Sequence, residues 1–354
     1  MNPSHTFSIA GRAIGPDQPI YLIAEAGVNH NGELPLAQEL IDRAADAGAD
    51  AVKFQTYRLD ELILPGVKKA PYQQRTGDAG ESQSAMLERL AIDEEFHRAL
   101  IARCEQRGIR FLSTPYGSRS LALLESLQVP VIKIASTDTT NQLFLEEVGA
   151  CGRPVILSTG MSTAAEVLAA ATTLRAAGCR ELLLLKCTSN YPTPPAEVNL
   201  RSMATLAALT GELVGFSDHT EGVGASPAAA AMGAVLIEKH YTLDHDLPGP
   251  DHRASLNPAQ LTEWVRRIRE VELQLGSRQL GPSPSESDTR PSLQKALVVL
   301  QDLQAGETLT RRNLGALRTG GQGIGAFHGL DLLGRRVTRA IPAGTPLQWE
   351  DLAR

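Results

Sequence analysis

The sequence predicts an α/β protein: a parallel (β/α)8 TIM barrel followed by a small, mostly β domain. Short apolar runs bounded by Gly or Pro recur eight times, each ending in polar or charged residues. Segments with helical spacing separate them, and the composition changes abruptly after Leu275. Runs of this kind read as buried strands. Their alternation with helices implies a parallel sheet, and polar residues gathered at the C-terminal strand ends mark the face where such barrels keep their chemistry.

After a short opening segment, Tyr21 to Gly27 (YLIAEAG) is the first run, followed by the polar turn Val28 to Gly32. Leu36, Leu40, Ile41, Ala44 and Ala47 then repeat at helical spacing, with Gly48 where a helix stop is expected. The second run is AVKFQTY from Ala51, in which Lys53 and Gln55 alternate with Val52 and Phe54. A long loop over 58–82 holds Lys68, Lys69, Tyr72, Gln73 and Gln74, and loops of that length are often lids or binding loops. Helical patterns resume near Ser84 and from Asp93 to Arg107.

Runs three to seven are Arg110–Tyr116, Val131–Ser136, Pro154–Gly160, Leu182–Leu185 and Leu213–Thr220. Alternation places Lys133 with Val131 and Ala135, so Ser136 joins Lys133 only if the strand has already ended. Helical stretches fall at 163–177, 198–210, 223–232 and 257–275. The eighth run, Ala234 to Ile237, ends in Glu238, Lys239 and His240, and its loop carries Asp244, His245, Asp246, Asp251 and His252 around Gly249 and Pro250.

Residues 1–276 thus form the barrel, and 277–292, rich in Ser, Pro and charge, form a linker. In residues 293–354 an Ala-Gly turn followed by a hydroxyl and a leucine occurs at Ala305–Leu309 and again at Ala343–Leu347. Each precedes a candidate one-turn helix, RRNL or WEDL, so this domain has a weak internal two-fold similarity.

With 354 residues, 42% hydrophobic content and a net charge of −6, the chain has a substantial core and no dense basic stripe, which argues against a nucleic-acid partner. Cys104, Cys151, Cys179 and Cys187 lie far apart without a CxxC pair, as suits reduced thiols. The N-terminus lacks an apolar signal core, and no stretch approaches the roughly 20 apolar residues of a membrane span. A cytoplasmic location is expected.

His219 and His240 fall at the mouth on neighbouring strands, where two imidazoles bind a divalent metal or serve as ordinary polar rim residues. Lys53 and Lys133, with Thr114, Ser136, Ser158, Ser189 and Ser217, can assemble into an anion pocket. The lysines can equally be solvated rim residues, and one of them a Schiff-base nucleophile. A lysine buried in a barrel without a partner is expensive, which favours a bound anion. Glu25, Glu238 and Asp251 are acid or base candidates, or carboxylates that orient a lysine.

Taken together, Ile23–Gly27 with Asn29–Gly32, Val52–Gln55, Ser113–Pro115, Lys133–Ser136, Leu157–Met161, Cys187–Pro192, Ser217–Thr220 and Glu238–His240 followed by Gly249–Asp251 resemble the sialic acid synthase family. The resemblance runs over nearly the whole chain, and the C-terminal domain is similar to the SAF, or antifreeze-like, domain that the family joins to its barrel. It implies condensation of phosphoenolpyruvate with an N-acetylated amino sugar to a nine-carbon 2-keto acid and phosphate. It also implies a divalent cation, Mn²⁺ or Mg²⁺, and a homodimer in which each SAF domain caps the partner's barrel.

By that resemblance His219 and His240 are metal ligands, and Lys53, Thr114, Lys133, Ser136, Ser158, Ser189 and Ser217 form the phosphoenolpyruvate cradle. Glu25 handles water or proton traffic, while Gln55, Tyr191 and Asp251 contact the sugar. Glu238 supports the metal's surroundings, with Asn190 as a further supporting residue. Arg318 resembles the arginine that reaches across the dimer to the N-acetyl group.

Two places depart from the family pattern. Its usual Arg-Pro-Gly is Arg318-Thr319-Gly320 here, and its asparagine after Tyr-Gln is missing from Tyr72-Gln73-Gln74-Arg75-Thr76. The sugar is therefore N-acetylmannosamine or a 2,4-diacetamido hexose, the latter leading to legionaminic or pseudaminic acid. Two other readings stay open: a phosphoenolpyruvate aldolase-like barrel using another aldose phosphate, or a Schiff-base aldolase through Lys133, and a non-catalytic glycan-binding relative.

Overall fold

The computed structural model describes residues 6–64, 66–68 and 82–353. The chain divides into two compact units, Met1–Gly276 and Ser277–Arg354. In the first unit a hairpin of β1 (Phe7–Ile9) and β2 (Arg12–Ile14) precedes eight parallel strands: β3 (Tyr21–Gly27), β4 (Ala51–Thr56), β5 (Arg110–Pro115), β6 (Ile132–Ile134), β7 (Val155–Ser158), β8 (Leu182–Cys187), β9 (Leu213–Asp218) and β10 (Leu236–His240). The hydrogen-bonded order is β5-β4-β3-β10-β9-β8-β7-β6. β5 and β6 lie against one another where this sheet closes into a barrel.

Two apolar layers follow from the alternation of side chains along each strand. Leu22, Ala24, Val52, Phe54, Ile132, Ile134, Leu182 and Leu184 face outward onto the helices. Tyr21, Ile23, Ala51, Leu112, Ile156, Leu183 and Leu236 face inward near the strand beginnings, where Phe7, Ile9 and Ile14 of the hairpin pack onto them. The hairpin therefore plugs the end of the barrel opposite the C-terminal strand ends. Its backbone is tied down by Ser8, whose N–H donates to Glu181 Oε2 at 2.7 Å.

Helix boundaries follow local chemistry. Asp93 caps Glu94–Arg107 by accepting from Phe96 N at 2.9 Å, and Gly108 ends that helix at φ +67°. Thr163 with Glu166, and Asn257 with Gln260, form capping boxes at Ala164–Ala176 and Pro258–Leu275.

The structure corrects several sequence expectations. The opening segment is the β1–β2 hairpin, whose three-residue strands are too short for a periodic signal. The eighth strand runs through Glu238, Lys239 and His240 instead of ending before them. Charge misled because these side chains alternate between the lumen and a buried polar network outside it. The helices Ser118–Ser126 and Gln142–Ala150 complete the third and fourth units. Of the loop over 58–82, a short helix Leu59–Leu62 is described, whereas Lys69, Tyr72, Gln73, Gln74, Arg75 and Thr76 lie outside the described residues.

In the second unit β11 (Lys295–Val299) pairs antiparallel with β12 (Leu314–Arg318), over a core of Leu297, Val299, Leu303, Leu309, Leu332, Val337, Ile341 and Leu347. Gly306 and Gly344 both take positive φ, +86° and +81°. Gly306 N–H donates to Val337 O at 2.8 Å and Gly344 N–H to Val299 O at 2.7 Å, so the two Ala-Gly turns are tied down alike. Of the two candidate one-turn helices, Trp349–Asp351 is a 3-10 turn, while Arg311–Asn313 is a turn leading directly into β12. The expected linker carries a 3-10 turn, Pro284–Glu286, and a short helix, Thr289–Leu293, within the second unit.

Candidate active site

A cavity of about 590 Å³ opens at the C-terminal strand ends. Lys53 and Gln55 reach it from β4, Thr114 from β5, Lys133 from β6, Ser158 from β7, Ser217 from β9, and Glu238 and His240 from β10. Glu25 of β3 completes the floor, and Ser136, Ser189, Tyr191, His219 and Asp251 come from the loops beyond the strands. β6 ends at Ile134 and a 3-10 turn begins at Ser136. That early stop lets Ser136 line the same cavity as Lys133.

The centre of the cavity is a buried charge array. Lys53 Nζ lies 2.7 Å from Glu25 Oε2 and 3.7 Å from Glu238 Oε2, and donates to Thr114 Oγ1 at 3.0 Å. Lys133 Nζ lies 3.6 Å from Glu238 Oε1 and donates to Ser158 Oγ at 2.8 Å. Ser217 Oγ donates to the same Glu238 oxygen at 3.3 Å. Glu238 therefore sits between two ammonium groups, whereas Glu25 faces one.

This asymmetry sets the protonation of the array. Burial raises Glu25 to about 7 against the pull of Lys53. Burial also opposes charge on Glu238, but Lys133 and Lys53 together hold its carboxyl below the usual range. Burial works against Lys53 too, yet Glu238 and Glu25 keep it above the usual lysine value. Lys133 is pushed down by burial, which Glu238 only partly offsets.

On the adjoining wall the rings of His219 and His240 stand 5.4 Å apart, centroid to centroid. Tyr191 packs against both, at 5.4 Å and 4.8 Å. His219 Nδ1 meets the carbonyl of Thr188 at 2.9 Å. A carbonyl only accepts, so Nδ1 carries a proton. Burial opposes a second one, but Cys187 beside the ring raises His219 to about 9, so Nε2 offers a metal its lone pair only after the cation displaces that second proton. His240 is held neutral by burial, and its Nδ1 is buried without a hydrogen-bond partner. Two such imidazoles can hold a divalent cation whose other positions go to water and substrate oxygens. Among the described residues no group of three or more His, Cys, Asp or Glu side chains is arranged for a metal.

The donors around Lys133 leave no room to spare. A Cβ on Gly160 would sit 2.2 Å from Ser189 Oγ and 2.9 Å from Ser136 Oγ, and Gly160 N–H itself donates to Ser136 Oγ at 2.9 Å. Only glycine lets this backbone approach the hydroxyls. The opposite wall is apolar, built of Leu62, Ile63, Met86, Leu87 and Leu90 with Tyr57 and Tyr116. Sequence reasoning did not select these residues. The pairing of Met86 and Leu90 on one side of the helix Gln83–Leu90 was the available signal.

Three assignments sit away from the charge array. The Tyr191 hydroxyl meets Ser255 Oγ at 3.1 Å, so it is the ring that faces the histidines. Ser255 was not singled out in the sequence. It accepts from Asn29 Nδ2 at 3.0 Å and donates to Asp251 O at 2.7 Å, joining three loops. Asn190 is not among the residues lining the cavity; it lines an adjoining pocket with Lys186 and Ser202. Arg318 is the exposed last residue of β12, paired with Lys295 in the second unit.

The four cysteines are free, and no helix among the described residues is long and apolar enough to cross a membrane.

A model of the NeuB family matches residues 40–280, and a SAF domain model matches 294–353. The chain is 40% identical over 342 residues to the N,N'-diacetyllegionaminic acid synthase of Legionella pneumophila, covering 96% of each chain. It is 41% identical over 320 residues to the N,N'-diacetyllegionaminic acid synthase of Campylobacter jejuni, covering 90% of this chain and 96% of the other. Among solved structures, Spore coat polysaccharide biosynthesis protein SpsE of Bacillus subtilis matches with a TM-score of 0.67 at 35% identity, over 99% of both chains.

Proposed function

The chain belongs to the NeuB family and ends in a SAF domain, and on that premise we propose that it condenses phosphoenolpyruvate with an open-chain N-acetylated amino sugar. The products are a nine-carbon 2-keto sugar acid and inorganic phosphate. The observation that carries this reading is the convergence of two buried lysines and five hydroxyl side chains beside a pair of facing imidazoles in one cavity. An enol ester that carries both a carboxylate and a phosphate needs such fixed donors, and they act without reorganisation when charge moves during reaction.

In the reaction carbon 3 of phosphoenolpyruvate bonds to the sugar's aldehyde carbon. Water then adds at carbon 2, and the tetrahedral intermediate loses phosphate by carbon–oxygen cleavage to leave the keto group. Lys53 and Lys133, with Thr114, Ser136, Ser158, Ser189 and Ser217, hold the carboxylate and phosphate. Glu25, poised near neutrality, takes a proton from the water that adds at carbon 2 and returns it to the departing phosphate. Glu238 keeps both ammonium groups in place. His219 and His240 would hold a divalent cation, Mn²⁺ or Mg²⁺, which would supply Lewis acidity for the aldehyde.

The sugar is a 2,4-diacetamido hexose in this reading, making the protein a legionaminic acid synthase, with N-acetylmannosamine as the second choice. The apolar wall of Met86, Leu87 and Leu90 suits an acetamido methyl better than another hydroxyl, and the names of the two relatives point the same way. Gln55 and Asp251 supply polar contacts to the sugar. The working form is a cytoplasmic homodimer in which Arg318 of one SAF domain reaches the partner's sugar; Arg318→Ala then raises the sugar KM and leaves that for phosphoenolpyruvate unchanged.

The test is mass spectrometry of products formed with Mn²⁺, phosphoenolpyruvate labelled with ¹⁸O at the bridging oxygen, and each sugar in turn. The expected result is a legionaminic acid product with the label in phosphate. Failure of both sugars to yield any nine-carbon acid overturns the reading.

A further inference from the structure

Behind the two imidazoles, on the face of the sheet turned away from the cavity, lies a buried ion pair that the reaction does not use. Lys239 Nζ is 3.1 Å from Asp218 Oδ1, with side chains 1% and 0% exposed. The two residues are directly paired across β10 and β9, and each immediately precedes one of the histidines. Neither touches the cavity.

The surrounding bonds all fasten the same stretch of backbone. Lys239 Nζ also donates to Thr220 O at 2.8 Å, so one ammonium group holds the residues on both sides of His219. Asp218 Oδ1 accepts from Thr220 N at 2.9 Å and from Thr220 Oγ1 at 2.7 Å, and Oδ2 accepts from Ser226 Oγ at 2.6 Å. His219 has a further anchor in the Thr188 carbonyl. His240 has no hydrogen bond on Nδ1, so its strand and the ring of Tyr191 fix its direction.

A fully buried ion pair is a poor source of stability, because desolvation of both charges offsets their attraction. Its directional bonds do fix register between two strand ends. We infer that Asp218 and Lys239 are positioning residues, a clamp that sets the separation of His219 and His240 and with it the affinity of the site for a divalent cation. This rests on the reading of the two histidines as metal ligands. Side chains that orient metal ligands typically change affinity by about 10- to 100-fold when removed.

The experiment measures Mn²⁺ binding to the full-length protein by electron paramagnetic resonance, alongside thermal unfolding and the KM for phosphoenolpyruvate. The variants are Asp218→Asn/Lys239→Met, Ser226→Ala and His219→Ala. Removing both charges together leaves no buried ion unpaired, so the double variant is expected to fold. Its Mn²⁺ affinity should fall about tenfold or more, with the KM for phosphoenolpyruvate unchanged because Lys53 and Lys133 are untouched. Ser226→Ala, which removes one hydrogen bond from Asp218, should weaken affinity about threefold and carries the test if the double variant does not fold.

Wild-type Mn²⁺ affinity in a folded double variant, or in Ser226→Ala should the double variant not fold, overturns the clamp. His219→Ala separates the two ideas. If it abolishes binding while the double variant binds normally, only the clamp is lost; if it binds like the wild type, the histidine-ligand reading is lost instead.

Discussion

Glu25 and Lys53 form the tightest charge contact in the cavity, 2.7 Å from Oε2 to Nζ, yet burial still lifts the Glu25 carboxyl to about 7. Glu238 holds its charge because it has two lysines; Glu25 has one. Near neutral pH Glu25 is therefore the carboxyl of the array that can exchange a proton. Glu25→Gln should lower kcat about 100-fold or more, while phosphoenolpyruvate binds as well as before or better, since a negative charge has left the cradle. Steady-state kinetics and a binding isotherm check both halves.

Lys133 is the second test of the cradle. Its amine is pushed down by burial, as a Schiff-base nucleophile requires, but it is also bonded to Ser158 and set beside Glu238. Lys133→Ala should raise the KM for phosphoenolpyruvate at least tenfold, in line with about 1.5–3 kcal/mol for a charge-assisted hydrogen bond. Borohydride should trap no adduct in the wild type; a trapped lysine in a peptide map would favour the aldolase chemistry.

Tyr191 separates the roles of a ring and a hydroxyl. Tyr191→Phe removes the hydroxyl and its contact to Ser255 and should cost less than about tenfold in kcat, whereas Tyr191→Ala also removes the ring surface against both imidazoles. The alanine variant should lose Mn²⁺ affinity and the phenylalanine variant should keep it. Equal effects of the two substitutions on Mn²⁺ binding would contradict the geometry.

The pH dependence of stability should carry the mark of His30. This ring is buried between Phe54 and Phe96, accepts from Gly32 N at 3.0 Å on Nδ1, and is pushed by burial from 6.5 to about 4. Between those values the unfolded chain binds a proton that the folded chain refuses, so stability falls as pH drops from about 6.5 towards 4. The loss from this residue amounts to about 3 kcal/mol at most. His30→Asn, which keeps an acceptor for Gly32, should be less stable at neutral pH but flatter across that window in urea titrations.

The barrel was legible because each strand pairs an apolar run with polar residues at its end, and a parallel sheet buried on both faces needs both features. Lys53 and Lys133 could be placed on strands and so on faces, whereas Glu238 was read as lying past the end of its strand. What the sequence left hidden depends on contacts between distant segments. Ser255 is an ordinary serine until three loops meet on it. Asp218 and Lys239 read as charge at the cavity rim, yet they face the other side of the sheet. The hairpin of β1 and β2 was invisible because its strands are stabilised by the barrel floor they cover and not by any pattern of their own.

That hairpin has a kinetic corollary. With Phe7, Ile9 and Ile14 corking the far end of the lumen, the described residues leave the chamber open at the C-terminal strand ends, and whatever sits against Lys53 and Lys133 is the innermost guest. In the proposed reaction that guest is the enol ester, so it must arrive ahead of the sugar, and saturating sugar should slow its departure as well as its arrival.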